Sequence, residues 1–583
     1  MFGIKLTTGF LTLFPKTALS FELRNPAPMG DDADVIQESF MFTSSVPMDA
    51  NNRKKLINPS RLDNANFFLE NEDCSVWCQG IEVFRGLLTV RSATSASAEI
   101  SIKINTISKL KELSLSELNH DTVDLAAKPN AINYLTATCT NPNTSDFICF
   151  PVWNPDFYGD TDNNVFGNSR YQNLWDIHPT NVSTLKIAGK SAVTPFLKVS
   201  YLLRKMAETT AFTLENNWQT TRELQWLCSY NNRSIVQWNA DASAYTLDNK
   251  LELKNHVSKV KSSDYLKNIA KLHNLGIYVN FFDRSLDIVP NNTILHQSPR
   301  HDWTKKVISD YTKSENLNFP TRFGYASTPL VLGDISALTR YPYDAPLATS
   351  PEGLYLNPIG RRYLHKPDDL SSELIAVELD DYVHLSKSEK NAFSSPLQTL
   401  PNARVFMGSF GAASCPAIRQ KGKFKIQNGE ESDASFDDRL LFFRGMTDFR
   451  KHDGTPFPNS AYFCPLASSE DATAIGYRIK TGWDTSLLDP SQVPPPYAAA
   501  NVENTLAWNG EKGLFNRHHS AWLTMLEAKR DIKLSVGLSI KEIRAFSFKD
   551  KIRIGNRELL ARKLRVTLTE FGIAPTEAEL ITV

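Results

Sequence analysis

Little in this chain is extreme, and each thing it lacks removes a class of function. It has no net formal charge, because Lys plus Arg and Asp plus Glu stand at 64 each. A protein that grips nucleic acid across its surface is basic, and this one is balanced. No window approaches the roughly 18 uninterrupted apolar residues that a membrane-crossing helix needs. The opening Met1-Phe-Gly-Ile-Lys-Leu-Thr-Thr-Gly-Phe-Leu-Thr-Leu-Phe14 has one early charge, Lys5, inside the segment. No small-residue cleavage site follows it, so it does not read as a signal peptide. Cysteine is sparse: Cys74, Cys78, Cys139, Cys149, Cys228, Cys415 and Cys464 are odd in number and scattered. A disulfide framework is denser and usually even. These thiols read as small buried apolar groups in a reducing compartment.

Catalytic phrases are missing as well. There is no Gly-x-Ser-x-Gly elbow, no phosphate-binding Gly-x-x-x-x-Gly-Lys-Ser/Thr loop, no Gly-x-Gly-x-x-Gly and no His-Glu-x-x-His. Four weaker signals have blander readings. Cys74 and Cys78 lack a second ligand pair to complete a zinc site. Asp160-Thr-Asp162-Asn-Asn164 resembles the start of a calcium loop. Its sixth position is Val165 rather than Gly, and its twelfth is Tyr171 rather than Glu; an Asx-rich turn is the simpler account. His518 and His519 are adjacent, so they diverge on a helix and cannot chelate one ion as an i, i+4 pair does. They read as surface or interface packing. Gly408-Ser-Phe-Gly411-Ala-Ala-Ser414-Cys415 contains Ser and Cys, but no local sequence supplies a base; it reads as a loop or tightly packed strand. The sequence therefore nominates no catalytic, cofactor-binding or metal-binding residue.

What is present is ordinary globular composition, with 41% apolar and 22% charged residues over 583 positions. At roughly 150 residues per domain, three to five units are expected. The pattern is β-rich. The Phe10 to Phe14 alternation suits a first strand. Ser20-Phe-Glu-Leu alternates, and Ile100, Ile102 and Ile104 share a strand face. Val83 to Val90 reads as a strand pair or one strand bent at Gly86.

Helical spacing begins at Thr194-Pro195, with Phe196, Val199, Leu202, Leu203 and Met206 as a stripe. A short helix is expected over 221–230. Another starts after Ser262, with Tyr265, Leu266, Ile269 and Leu272 on one face and Gly276 near its stop. A hairpin follows around Asp283-Arg-Ser. Lys423 to Ile426 leads into a turn at Asn428-Gly429. Gln492 to Tyr497 reads as a polyproline connector. The last stretch is a helix carrying Trp522, Leu523 and Leu526, then alternating strands around a tight turn at Gly555-Asn556. Lys533, Lys551, Arg553 and Lys563 are expected to keep the outer edge wet.

The fold class expected is α+β and β-rich, multidomain, with small antiparallel β-barrels and a few short helices. Five segments follow: a barrel-like domain over 1–115, an irregular insertion over 116–190, an α+β region with a second barrel-like part over 191–360, a β-rich region over 361–490, and a helix with strands over 491–583.

Several phrases recur in a telling order. They are Ser20-Phe-Glu-Leu-Arg-Asn-Pro26, Ser45-Val-Pro47, Asn51-Asn-Arg-Lys-Lys-Leu56, Phe84-Arg-Gly-Leu-Leu-Thr-Val90, Asn231-Asn-Arg-Ser234, Gly513-Leu-Phe-Asn-Arg517, Lys533-Leu-Ser-Val536 and Lys551-Ile-Arg-Ile-Gly-Asn556. Together they resemble the hub proteins at the tip of bacteriophage tails. The resemblance implies a non-enzymatic baseplate or tail-tip hub, a ring that joins tail tube to tip or spike and lines the DNA exit path. It implies a homotrimer in which each chain supplies two similar barrels, over 10–115 and within 190–360, giving pseudo-sixfold symmetry. The implied partners are the tail tube, distal tail, tip or spike, and tape measure proteins. No specific nucleic-acid sequence and no stable membrane insertion are implied, and no cofactor. The implied location is the virion tail tip, after synthesis in the host bacterial cytoplasm. Two rivals stay open: a receptor- or carbohydrate-binding tail protein using the 116–190 insertion, and a hydrolase of cell-wall or surface glycan.

Overall fold

A computed structural model describes residues 2–27, 39–61, 69–104, 110, 112–150, 152–154, 157–158, 171–173, 175–176, 186–187, 192–215, 218, 221, 225–239, 244–280, 282–308, 312–315, 420–425, 439–443 and 514–583, with short strand segments between 322 and 416. The protein is β-rich, with several sheets and a few short helices.

The largest sheet is built from both ends of the chain. Its path runs Gly9–Phe10, Gly3–Leu6, Glu72–Cys78, Ile81–Ala93, Ser97–Ile104, Ser39–Met41, Leu19–Arg24, Arg557–Thr569, Thr576–Thr582, Arg530–Val536 and Thr312–Glu315. Every pairing on that path is antiparallel. The seam between the ends runs from Leu19 opposite Leu568 to Arg24 opposite Lys563. The path is open, so the closed barrels expected from the short strands are not what forms among the described residues. Short alternating strands are common to barrels and open sheets, and closure depends on tilt and stagger that periodicity does not carry.

Alternation decides what this sheet buries. Leu19, Phe21 and Leu23 face the same core as Val76, Leu88, Ile100, Ile102, Leu564, Val566 and Leu568. Ile81–Ala93 is one strand of 13 residues. A Cβ at Gly86 would lie 2.2 Å from the Lys103 carbonyl oxygen, so glycine there permits a close strand approach. Near its far end the sheet serves two cores. Leu559, Ala561 and Leu580 face the sheet core, while Leu560 and Ile581 face the core of the central body.

The central body is built from the described residues between 110 and 295, with Leu440, Leu441, Phe443 and the C-terminal helix Ser520–Ala528. Helix Ser262–His273 buries Tyr265, Leu266, Ile269 and Leu272, as its spacing predicts. Its stop is Asn274, in the left-handed region at φ 50°, rather than Gly276. Gly276 lies in strand Leu275–Asn280, where a Cβ would meet the Tyr278 ring at 2.7 Å. That strand and Ser285–Pro290 form the expected hairpin.

Three local expectations fail for one reason, tertiary pairing overriding local pattern. Phe196–Lys198 is a strand paired to Phe147–Ile148 and Leu227–Ser229, so the helix starts only at Val199. Leu227–Ser229 is likewise a strand, where a helix was expected over 221–230. At the N-terminus Gly3–Leu6 and Gly9–Phe10 form the first hairpin, and Leu11 to Phe14 make no strand. The Asn428-Gly429 turn and the polyproline segment lie outside the described residues.

Candidate functional site: a charged cleft and a histidine joint

A cleft separates the hairpin from the C-terminal segment that crosses beside it. It holds two adjoining cavities of about 800 Å3 and about 550 Å3, both lined by Asp287, Arg300 and Lys549. Hairpin register places Tyr278 directly opposite Asp287. Lys549 Nζ lies 2.6 Å from Asp287 Oδ2. The nearly buried carboxylate of Asp550 receives Arg300 Nη1 at 3.4 Å and meets His301 Nε2 at 3.2 Å. The rings of Trp303, Phe546 and Phe548 pack in series beside it, at 5.6 and 5.2 Å between centroids.

Two ion pairs cross this cleft, Lys549 with Asp287 and Arg300 with Asp550. Asp287 Oδ1 and the Tyr278 hydroxyl are buried and find no hydrogen-bond partner among the described residues. Burial raises the Tyr278 hydroxyl well above its usual range, and the Asp287 and Asp550 carboxylates add to that. A phenol held this firmly protonated is no nucleophile. The geometry therefore supports an electrostatic joint that locks the hairpin to the C-terminal segment. Lys549 and Asp550 come from that segment, and Asp287 and Arg300 from the central chain, so no local sequence pattern could have announced the cluster.

The nominated weak sites fare as follows. Asp160 to Asn164 lies outside the described residues, as do Gly408 to Gly411. Ala412–Pro416 is a strand paired to Asn402–Phe406. Cys74 and Cys78 are buried on the Glu72–Cys78 strand. Burial pushes both thiols up, away from the thiolate that a metal requires. Among the described residues no group of three or more His, Cys, Asp or Glu could hold a metal ion. No helix among them is long and apolar enough to cross a membrane.

His518 and His519 are buried rather than on the surface. They end a single π-helical turn, Phe515–His519, that leads into helix Ser520–Ala528. His519 Nε2 lies 3.1 Å from the Leu272 carbonyl oxygen, and Asn274 Nδ2 donates to the His518 carbonyl at 2.7 Å. The His518 ring meets His273 edge-on at 5.1 Å. This turn is the joint between the C-terminal helix and helix Ser262–His273.

Lys551 also departs from expectation. Its side chain is 4% exposed, with Nζ donating to the Leu295 carbonyl at 2.5 Å and paired with Glu558 at 2.9 Å. Lys533 and Lys563 do belong to a charge ladder on the open sheet face. Lys563 lies 3.1 Å from Glu22, Arg565 3.5 Å from Glu22 and 3.2 Å from Glu577, and Lys533 3.1 Å from Glu579. Burial alone would raise the Glu22 carboxyl; hydrogen bonds from Arg24 and Lys563 outweigh it and hold the group below its usual range.

The quoted phrases acquire physical roles through their asparagines. Asn25 donates to the carbonyls of Ala561 and Phe548 at 2.7 and 3.2 Å, clamping the first phrase to strand Arg557–Thr569 and the segment before it. Asn52 donates to the carbonyls of Pro47 and Thr12 and accepts from the Thr12 amide. Asn231 donates to Pro195 and accepts from the Arg233 amide. All three are at most 1% exposed. Sequence reading missed them, although an Asn at a strand end beside Pro or a second Asn is a visible cue.

No family model matches the chain, and no curated protein matches it. Solved structures with a likeness include the 43 kDa tail protein of prophage MuSo2 from Shewanella oneidensis. It has a TM-score of 0.32 and 9% identity, over 100% of this chain and 98% of that one. A tail protein from Neisseria meningitidis MC58 has a TM-score of 0.29 and 6% identity, over 100% of this chain and 95% of that one. Likenesses at this level carry no argument about function.

Proposed function

We propose that the chain is a structural component of a phage or phage-like tail, and within it a tip or baseplate hub that joins tube to spike as a homotrimeric ring. The observation that supports this reading is the order of phrases from Ser20 to Asn556 and the way their carriers meet. The Leu19–Arg24 and Arg557–Thr569 strands, from opposite ends of the chain, are neighbours in one sheet, and Asn25 bolts them together. An adaptor must transmit load between its partners without deforming, and a sheet that pairs strands from both ends of the chain resists fraying there. Asp287 and Asp550 in the cleft are engaged by Lys549, Arg300 and His301, which favours a structural over a catalytic role for them.

The test is the mass of the purified full chain by light scattering, followed by negative-stain imaging. The hub reading expects three chains in a ring with a central opening. A monomer at every concentration, with no ring after incubation with tail tube protein, would contradict it.

A further inference from the structure

The histidine joint does work that the hub reading does not use. His273 is 0% exposed, and neither ring nitrogen has a hydrogen-bond partner among the described residues. Its imidazole sits edge-on to Trp218 at 5.3 Å and to His518 at 5.1 Å. We infer that this joint is an acid-sensitive latch: charging His273 separates the C-terminal helix Ser520–Ala528, with its π-turn, from helix Ser262–His273.

Among the described residues no acidic group faces His273 to compensate its charge. The groups that act on it electrostatically are His518, Arg517 and His519, all on the π-turn and none of them acidic. On its own helix the nearest ionisable neighbour in sequence is Lys271, again a cation. The short helix Asn291–Leu295 packs on the same turn through Asn292 Nδ2, 3.1 Å from the Arg517 carbonyl oxygen, and carries no charged side chain. Trp218 contributes only its ring. A proton taken up here meets burial first and like charge second, and both push the group's affinity for protons well below its usual range. A single π-helical turn inside a helix is rare and often marks a functional site, and here it lies at the point where the C-terminal helix meets His273.

The open joint lets His273 reach water and titrate near 6.5. Between pH 7.5 and pH 5.0 one such imidazole favours the open form by about 30-fold. Hydrogen exchange of the full chain reads this directly, after correction for the intrinsic pH dependence of exchange. Opening of residues 262–274 and 514–528 should rise about 30-fold or more on acidification, while the Leu19–Arg24 and Arg557–Thr569 strands stay protected. His273→Phe keeps the ring shape, loses no hydrogen bond and should remove about 30-fold of that rise. Equal pH response in the joint and the sheet of the unaltered chain would overturn the latch, whether or not the variant folds. So would an undiminished rise in a folded His273→Phe.

Discussion

The end-to-end sheet and the central body solve the same problem in opposite ways. The sheet pairs its charged groups with one another, as a ladder in which Glu22, Lys563, Arg565, Glu577, Glu579 and Lys533 alternate in sign across neighbouring strands. Its interior is one apolar cluster, with the buried amides of Asn25 and Asn52 at strand ends. The central body carries polar groups within. Asn173 donates to the carbonyls of Phe150 and Thr194 and accepts from the Thr194 amide. Gln172, Tyr230 and Asn154 extend that network to the Gln420 carbonyl. Short, irregular strands leave many backbone groups without a ladder partner, and buried amides satisfy them. The regular sheet needs such help only at strand ends, where Asn25 and Asn52 supply it.

Removal of everything after Pro496 should break this contrast most severely. It deletes the Arg530–Val536, Arg557–Thr569 and Thr576–Thr582 strands from the middle of the sheet path and the C-terminal helix from the central core. The truncated chain should show no cooperative melting transition by calorimetry. A soluble, monodisperse, cooperatively melting product would refute the claim that both bodies depend on the C-terminal segment.

Single amides come next. Asn173→Ala removes the partner of two buried carbonyls and an amide, and Asn25→Ala likewise removes the partner of two carbonyls and the Ala27 amide. Each should cost about 2–4 kcal/mol in denaturant unfolding, since a buried group left without its partner costs about 1–3 kcal/mol. Losses below about 1 kcal/mol would mean that water replaces these side chains readily.

Acid should then separate the two bodies. His256 and His519 are fully buried, and burial pulls both down to about 3. The folded state refuses a proton that the unfolded chain accepts near 6.5. Their contribution is therefore whole above pH 6.5 and shrinks as pH falls towards 3, by about 1.4 kcal/mol per pH unit for each group. At pH 5 that is about 2 kcal/mol each. The sheet has the lowered carboxyl of Glu22 instead, whose contribution is present above the ordinary carboxylate value of 4.5 and is lost only below it. Urea titrations between pH 7 and 5 should weaken the central body first, and simultaneous weakening would contradict the contrast.

The smallest effects belong to the ladder. Glu22→Gln removes a carboxylate, 4% exposed, that holds Arg24 and Lys563, and should cost about 1–3 kcal/mol. Lys533→Ala breaks a pair whose lysine is 62% exposed, and should cost under about 1 kcal/mol and vanish in high salt.

The same contrast governs what the sequence could reveal. Leu19–Arg24, Ser97–Ile104 and the strands after Arg530 were legible because one face is buried and period two shows it. Helix Ser262–His273 was legible for the matching reason at period 3.6. Phe196–Lys198 and Leu227–Ser229 were not, since all six of their residues are buried and no alternation survives. Lys551 was misread because it stands just before strand Ile552–Ile554 rather than within it, and its amine turns inward to the Leu295 carbonyl. The cleft was invisible because Asp287 and Lys549 are joined only by the fold. Nor could periodicity tell an open sheet from closed barrels, or reveal that Glu22 lies beside Arg565.

Hydrogen exchange at the seam tests the central physical claim most directly. If the two ends form one structural unit, the amides of Leu19–Arg24 and Arg557–Thr569 exchange with one common opening free energy, at neutral pH and as denaturant is added. Loss of protection in Leu19–Arg24 while Arg557–Thr569 remains protected would contradict the account.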